Sequence, residues 1–345
     1  MYESFYGLTG KPFQLNPDPE FFFGSRGHKR AFAYLQYGLY QSEGFIVITG
    51  DIGAGKTTIV RSLLEHLDSS KVAAAQLVST RLDAEDILRA VGIAYGLPVR
   101  TVGKAVLLGA LEAFFCKLAV DNKRALLVVD EAQNLTPQAI EELRMLSNFQ
   151  LADKALLQSF LIGQPELRTM MQGPHMQQLR QRIIASYHLG PLDKDETQAY
   201  IEHRLKHVGW TADPRFEPGC FEQIHMLTGG VPRRINTLCN RLLLGGFIAE
   251  RHVLTTLDVQ NIAREMREEL GPDATLGPVL VATDSVVAEK TAGAAAPDNG
   301  VWQEHFQNIE ERIDRLEKTV GAAVDLLHAM LHPDKVNVPG NSTGR

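Results

Sequence analysis

Residues 50–58 read Gly-Asp-Ile-Gly-Ala-Gly-Lys-Thr-Thr, directly behind the apolar run "GFIVIT" and ahead of "IVRSLLEHL", whose apolar spacing is helical. This is the spacing of a phosphate-binding loop, and it demands a strand on one side and a helix on the other. The glycines let the backbone curl and turn its N–H groups toward a phosphate. Lys56 can then reach the β- and γ-phosphates, and Thr57 can hold Mg²⁺ at the helix N-terminus. The whole run is expected to surround the phosphates: Gly50, Asp51, Ile52, Gly53, Ala54, Gly55, Lys56, Thr57 and Thr58. A chance glycine turn is the alternative, and the strand-loop-helix setting argues against it.

The rest of the chain fits that demand. Apolar runs at 45–49, 72–78, 125–130, 156–163 and 183–189 are separated by amphipathic or polar stretches. Continuous apolar strands between helices are the pattern of a parallel sheet covered on both faces. An α/β nucleotide-binding core with a five-stranded parallel sheet is therefore expected over residues 1–190, with 1–40 as an N-terminal linker. From 191 to 270 the pattern becomes helical only. Asp193 and Glu196 have capping-box spacing, and Gly209 is placed to stop the helix they open.

Residues 271–300 are rich in Gly, Ala and Pro without periodicity, which reads as a flexible linker. Over 301–332 apolar residues from Trp302 to Met330 recur in steps of four and three, with charges between them. A heptad helix for self-association or a protein partner is expected there, packing on the chain's own core being the alternative. Residues 333–345 read as a tail.

Two further motifs carry chemistry. In "ALLVVDEAQNL" Asp130 ends an apolar strand where it can bind Mg²⁺, and Glu131 beside it can polarise a water; the pair could instead cap the next turn. Gln164 follows the fourth strand in "LIGQPEL", within reach of a γ-phosphate if that strand neighbours the one carrying Asp130; otherwise Gln164 and Pro165 form a turn. The charge that develops on a transferred phosphoryl group calls for arginines. Arg180 and Arg182 precede the fifth strand, and Arg233 and Arg234 open a helix behind a Gly-Gly turn. Solvated surface arginines are the alternative for each.

With 35 basic and 41 acidic residues the formal charge is −6, which counts against nucleic acid as a partner. Cys116, Cys220 and Cys239 lack metal-ligand spacing and read as reduced thiols. The opening residues do not resemble a secretory signal, and no apolar run approaches the length of a membrane span. A cytoplasmic location is expected, the alternative being a peripheral position at the inner membrane through partners.

Taken in order, "GDIGAGKTT", "LLVVDEAQNL", "LIGQPELR", "LRQRI" and "GGVPRRIN" resemble the AAA+ ATPases of the type II secretion A-protein family. The opening "MYESFYGLTGKPFQLNPDPEFFFGSRGHKRAFAYLQYGL" is closer to the ATPases associated with exosortase/PEP-CTERM exopolysaccharide loci. The resemblance spans about residues 1–270. It implies ATP as the nucleotide, Lys56 and Thr57 as Walker A, and Asp130 and Glu131 as Walker B. Gln164 takes the sensor-1 position and Arg233 that of the sensor-2 arginine. Arg182 or Arg180 would be the finger offered to a neighbouring subunit of a homo-oligomer whose ATP sites lie between subunits. Phe13, Asn16 and Pro17 would lie near the adenine. Family members continue into a membrane span and a periplasmic peptidoglycan-binding region, whereas residues 271–332 here read as linker and heptad helix; only the ATPase half is carried over. A DNA-associated transposition-type ATPase and a nucleotide-dependent scaffold with little turnover are the other readings.

Overall fold

The computed structural model describes residues 1–270 apart from 17, 42, 79–80, 99–102 and 153. The expected linker, heptad helix and tail at 271–345 lie outside the described residues. Strands β1 (Phe45–Gly50), β2 (Val72–Val78), β3 (Arg124–Asp130), β4 (Leu157–Gly163) and β5 (Ile183–Leu189) form one sheet in the order β2-β3-β4-β1-β5. Every neighbouring pair is parallel. The fold is an α/β P-loop NTPase core with a five-stranded parallel sheet, as its apolar runs imply.

The central runs are continuously apolar because both faces are covered. Phe45, Val47, Leu127, Val129 and Leu161 share one core with residues of α4 (Ala84–Ala94), α5 (Lys104–Val120) and α6 (Pro137–Leu146). Their neighbours Ile46, Ile48, Leu126, Val128, Phe160 and Ile162 point the other way, toward α2 (Arg26–Gln41) and α3 (Lys56–Glu65). In α2 a Cβ on Gly38 would collide with Ile46, so this glycine lets the helix lie directly on the sheet. The short helices α7 (Pro165–Gln172) and α8 (Gln177–Arg180) connect β4 to β5.

Beyond β5 the main elements are α9 (Lys194–His207), α10 (Cys220–Thr228), α11 (Pro232–Ile248) and α12 (Thr256–Leu270), joined by a two-residue ladder between Arg215–Phe216 and Val253–Leu254. Asp193 Oδ1 accepts from the Glu196 amide at 2.8 Å and Glu196 Oε2 accepts from the Asp193 amide at 3.3 Å, closing the capping box of α9. The helical core includes Ile201, Leu205, Ile235, Leu238 and Leu242.

The N-terminal residues differ from expectation. Tyr2 and Tyr6, on and just after α1 (Tyr2–Phe5), are buried in the helical core with Leu8, Phe13 and Phe21, not against the sheet. From α2 onward the chain packs on β1 and β5. Cys220 and Cys239 are buried free thiols and Cys116 is partly exposed. Among the described residues no helix is long and apolar enough to cross a membrane.

Candidate functional site

The order of the sheet brings the expected site residues together. β4 lies between β1 and β3, so the loop after β1, the carboxylates at the end of β3 and Gln164 after β4 share the carboxyl edge of the sheet. That edge is where open α/β sheets bind ligands.

The loop is shaped by its glycines. Gly53 and Gly55 have φ of +83° and +97°, in the left-handed region that strains side chains. A Cβ on Gly53 would collide with the Cβ of Arg233, and one on Gly55 would stand 2.5 Å from His28 Nε2. Gly55 then caps α3, whose first N–H groups point into the loop. Lys56 is 6% exposed and folds its ammonium back to donate to the carbonyls of Gly50 (2.6 Å) and Asp51 (2.9 Å). Burial lowers its pKa, against the opposing pull of Glu131, Asp130, Asp51 and Glu166.

Thr57 Oγ1 donates to Asp130 Oδ2 at 3.0 Å. Asp130 is 4% exposed, and burial raises its pKa despite hydrogen bonds from Thr57 and the Glu131 amide. A hydroxyl, a buried carboxylate and the N-terminus of α3 at one point are a donor set that fits Mg²⁺ bound together with phosphate oxygens. Among the described residues no cluster of three His, Cys, Asp or Glu forms a separate metal centre.

Glu131 follows in a left-handed turn, φ 54°. Its Oε2 accepts from Gln133 Nε2 at 2.5 Å and from Gln164 Nε2 at 3.0 Å, while Gln133 Oε1 accepts from the Gln164 amide at 3.0 Å. Burial works to raise the Glu131 pKa, but the two amides and Lys56 outweigh it and lower it.

One pocket connects these residues to the helical region. Its walls include Gly53, Lys56, Thr57 and Glu131 on one side and Tyr200, Arg204, Arg233 and Asn236 on the other, with Asn16, Asp18 and Phe21 from the N-terminal segment. Arg233 donates its backbone N–H to the Gly53 carbonyl at 3.2 Å, so α11 begins on the loop itself. Of the residues expected near a base, Asn16 lines the pocket, Phe13 is buried in the helical core and Pro17 lies outside the described residues.

Arg180 and Arg182 are elsewhere. They precede β5, at the amino edge of the sheet, one strand length or about 20 Å from the loop. Arg180 donates to the carbonyls of Met171 (2.6 Å) and Gly173 (2.8 Å) at the end of α7, and Arg182 to the Ser147 carbonyl at 3.2 Å. Neither lines this chain's own pocket.

Several residues of the site carried no sequence signal: His28, Tyr200, Arg204 and Asn236 in the pocket wall, and Gln133 on Glu131. Gln133 sits two positions beyond Glu131, in the same motif, and was the most accessible of them. Arg204 donates to the Pro12 carbonyl at 2.6 Å and stacks over Phe21 at 4.7 Å, fastening the N-terminal segment to α9.

Residues 39–171 match the family model of the AAA domain. The matched stretch runs from the end of α2 to α7. Over 267 residues it is 38% identical to general secretion pathway protein A of Aeromonas hydrophila, which covers 77% of this chain but only 48% of that protein. The chain thus spans about half the length of that curated relative. Among solved structures, the chain is similar to ORC2 of Aeropyrum pernix in its ADPNP-ADP complexes (TM-score 0.53, 20% identity, 69% of this chain and 66% of that one). It is also similar to Aeropyrum pernix ORC1 in complex with DNA (TM-score 0.55, 17% identity, 75% and 70%). At these identities the likeness is one of fold.

Proposed function

We propose that this chain is a Mg²⁺-dependent ATPase that drives or regulates assembly of an envelope secretion or exopolysaccharide system of the exosortase/PEP-CTERM kind. The observation that carries the reading is the meeting of Lys56, Thr57 and Glu131 in the wall of one pocket, with Asp130 joined to Thr57 at 3.0 Å. The AAA domain and the likeness to general secretion pathway protein A support it. The exopolysaccharide assignment rests on the opening residues alone.

In this reading the loop amides and Lys56 bind the β- and γ-phosphates, Lys56 exchanging its bonds to Gly50 and Asp51 for phosphate oxygens. Thr57 and Asp130 would hold Mg²⁺, which would offset charge on the phosphates. Glu131 orients a water and takes its proton as the water oxygen bonds to the γ-phosphorus and the bond to the β-phosphate oxygen breaks. Its lowered pKa keeps it ionised for that role. Gln164 fixes the carboxylate and can turn its amide to the γ-phosphate. Arg233, seated on Gly53, senses the γ-phosphate from the helical region of residues 191–270. Arg182 or Arg180, remote from their own loop, serve a neighbouring subunit of a homo-oligomer, and the 301–332 segment recruits further copies or a protein partner.

Titration of Mg²⁺ and ATP into the wild-type chain and Glu131→Gln tests this. Both should bind, with only the wild type releasing phosphate. Equal turnover by Glu131→Gln would remove Glu131 as the base, and no binding by either would remove the reading.

A further inference from the structure

The residues at the start of α2 form a link between the phosphate-binding loop and the first helix of the helical region. Ser25 Oγ accepts from the His28 amide at 3.2 Å and lies 2.6 Å from His28 Nδ1, so one hydroxyl both caps α2 and orients the imidazole. The other side of the ring meets the loop. It hydrogen-bonds the Ala54 backbone, and Nε2 fills the space in which a Cβ on Gly55 would lie. His28 is 5% exposed, in the pocket wall, with the Phe22 ring edge-on at 5.9 Å.

Two residues away the link continues outward. The Arg26 amide donates to Glu196 Oε1 at 2.8 Å, and the Arg26 guanidinium pairs with Asp193 and Glu196, the two members of the α9 capping box.

A loop of glycines has more freedom to lose on ordering than any other, and Gly55 must stay in a left-handed turn for α3 to begin at Lys56. Within the loop Ala54 donates to the Asp51 carbonyl at 3.1 Å and Gly55 accepts from the Ile59 amide at 3.1 Å, so both bonds at the turn are local and a hold from outside adds to them. His28 has the reach and the chemistry to supply it, with each ring nitrogen facing a partner.

We propose that His28 is a positioning residue of the phosphate-binding loop, bracing the Ala54–Gly55 turn from a Ser25-capped helix start that Arg26 ties to α9. The brace holds the loop before any ligand arrives and spares binding part of the ordering cost. Its consequence for ATP rests on the function proposed above; its effect on the loop does not.

Hydrogen exchange of the nucleotide-free full chain tests it, comparing wild type, His28→Ala and His28→Gln, the last keeping an N–H donor at a similar reach. Loss of one hydrogen bond at the loop should speed amide exchange at 53–57 about fivefold in His28→Ala. Exchange at 157–163 in the central strand should not change, and His28→Gln should recover most of the protection. Unchanged exchange at 53–57, equal acceleration at 157–163, or no recovery in His28→Gln would overturn the brace. ATP titration of the same samples separates the two claims. His28→Ala should bind ATP about fivefold more weakly than wild type. A wild type that binds no ATP yet shows the expected exchange pattern would overturn the nucleotide reading and leave the brace standing.

Discussion

Gln133 Nε2 donates to Glu131 Oε2 at 2.5 Å, so the residue two positions beyond the proposed base sets that base's charge and direction. Gln164 reaches the same oxygen from the end of the neighbouring strand, and the two glutamines are joined by the Gln164 amide. Both donors favour the ionised carboxylate, and with Lys56 they keep its pKa low although burial opposes them.

Gln133→Leu removes one donor and should raise the Glu131 pKa. The base works ionised, so the acid limb of the kcat profile should move to higher pH, while the rate near neutral pH falls less. Turnover measured from about pH 4 to pH 8 checks this, since the limb reports the ionisation of the essential base. A limb in the wild-type position would mean that Gln133 does not tune Glu131.

Asp130 carries the opposite shift. Burial raises its pKa, so the fold favours its protonated form, and ligand-free stability should fall as pH rises from the ordinary carboxylate range through the raised value. Asp130→Asn should abolish that dependence and raise the Tm of the ligand-free protein by roughly 1–4 °C, while losing the extra stabilisation that Mg²⁺ and ATP give the wild type. Thermal unfolding with and without both ligands decides it; a lower ligand-free Tm would show that the charge stabilises the fold.

Gly53 and Arg233 approach so closely that a single methyl group cannot be added between them. Gly53→Ala should cost about 1–2 kcal/mol for the left-handed backbone alone, and more for the collision. Denaturant unfolding should show the loss, and ATP binding should weaken as α11 is displaced. Unchanged stability would mean that the loop and α11 move apart freely.

Arg233→Ala probes the proposed γ-phosphate sensing. Removing a charge-assisted hydrogen bond should weaken ATP binding by about tenfold, with ADP binding nearly unchanged. The ratio of the two affinities is the measurement. Equal losses for ATP and ADP would place Arg233 on the other phosphates or on the loop alone.

The fold class was legible because strands buried on both faces have few alternatives to continuous apolar sequence, as in "FIVIT" and "ALLVVD". The order of those strands was not, since adjacency depends on crossovers that leave no local trace. Gln164 shows the difference: its use depended on β4 lying beside β3, which the sheet supplies. The packing of the N-terminal aromatics was not legible, because Tyr2, Tyr6, Phe13 and Phe21 have no period and their partners in the helical core begin only at Leu192. His28 was invisible for a similar reason: a helix-start histidine becomes notable only when Gly55 is seen against it. Arg180 is held through Nη1 by the Met171 and Gly173 carbonyls at the end of α7, partners that leave no mark in a sequence because any residue offers a carbonyl.

The central claim, that this pocket hydrolyses ATP with Mg²⁺ in an assembly of its own copies, is tested most directly by phosphate release against protein concentration for wild type, Lys56→Ala and Glu131→Gln. The account predicts a specific activity that rises with wild-type concentration and is lost in both variants, with Glu131→Gln still binding ATP. Turnover that survives Lys56→Ala, or a wild type that neither binds nor hydrolyses ATP at any concentration, would contradict it.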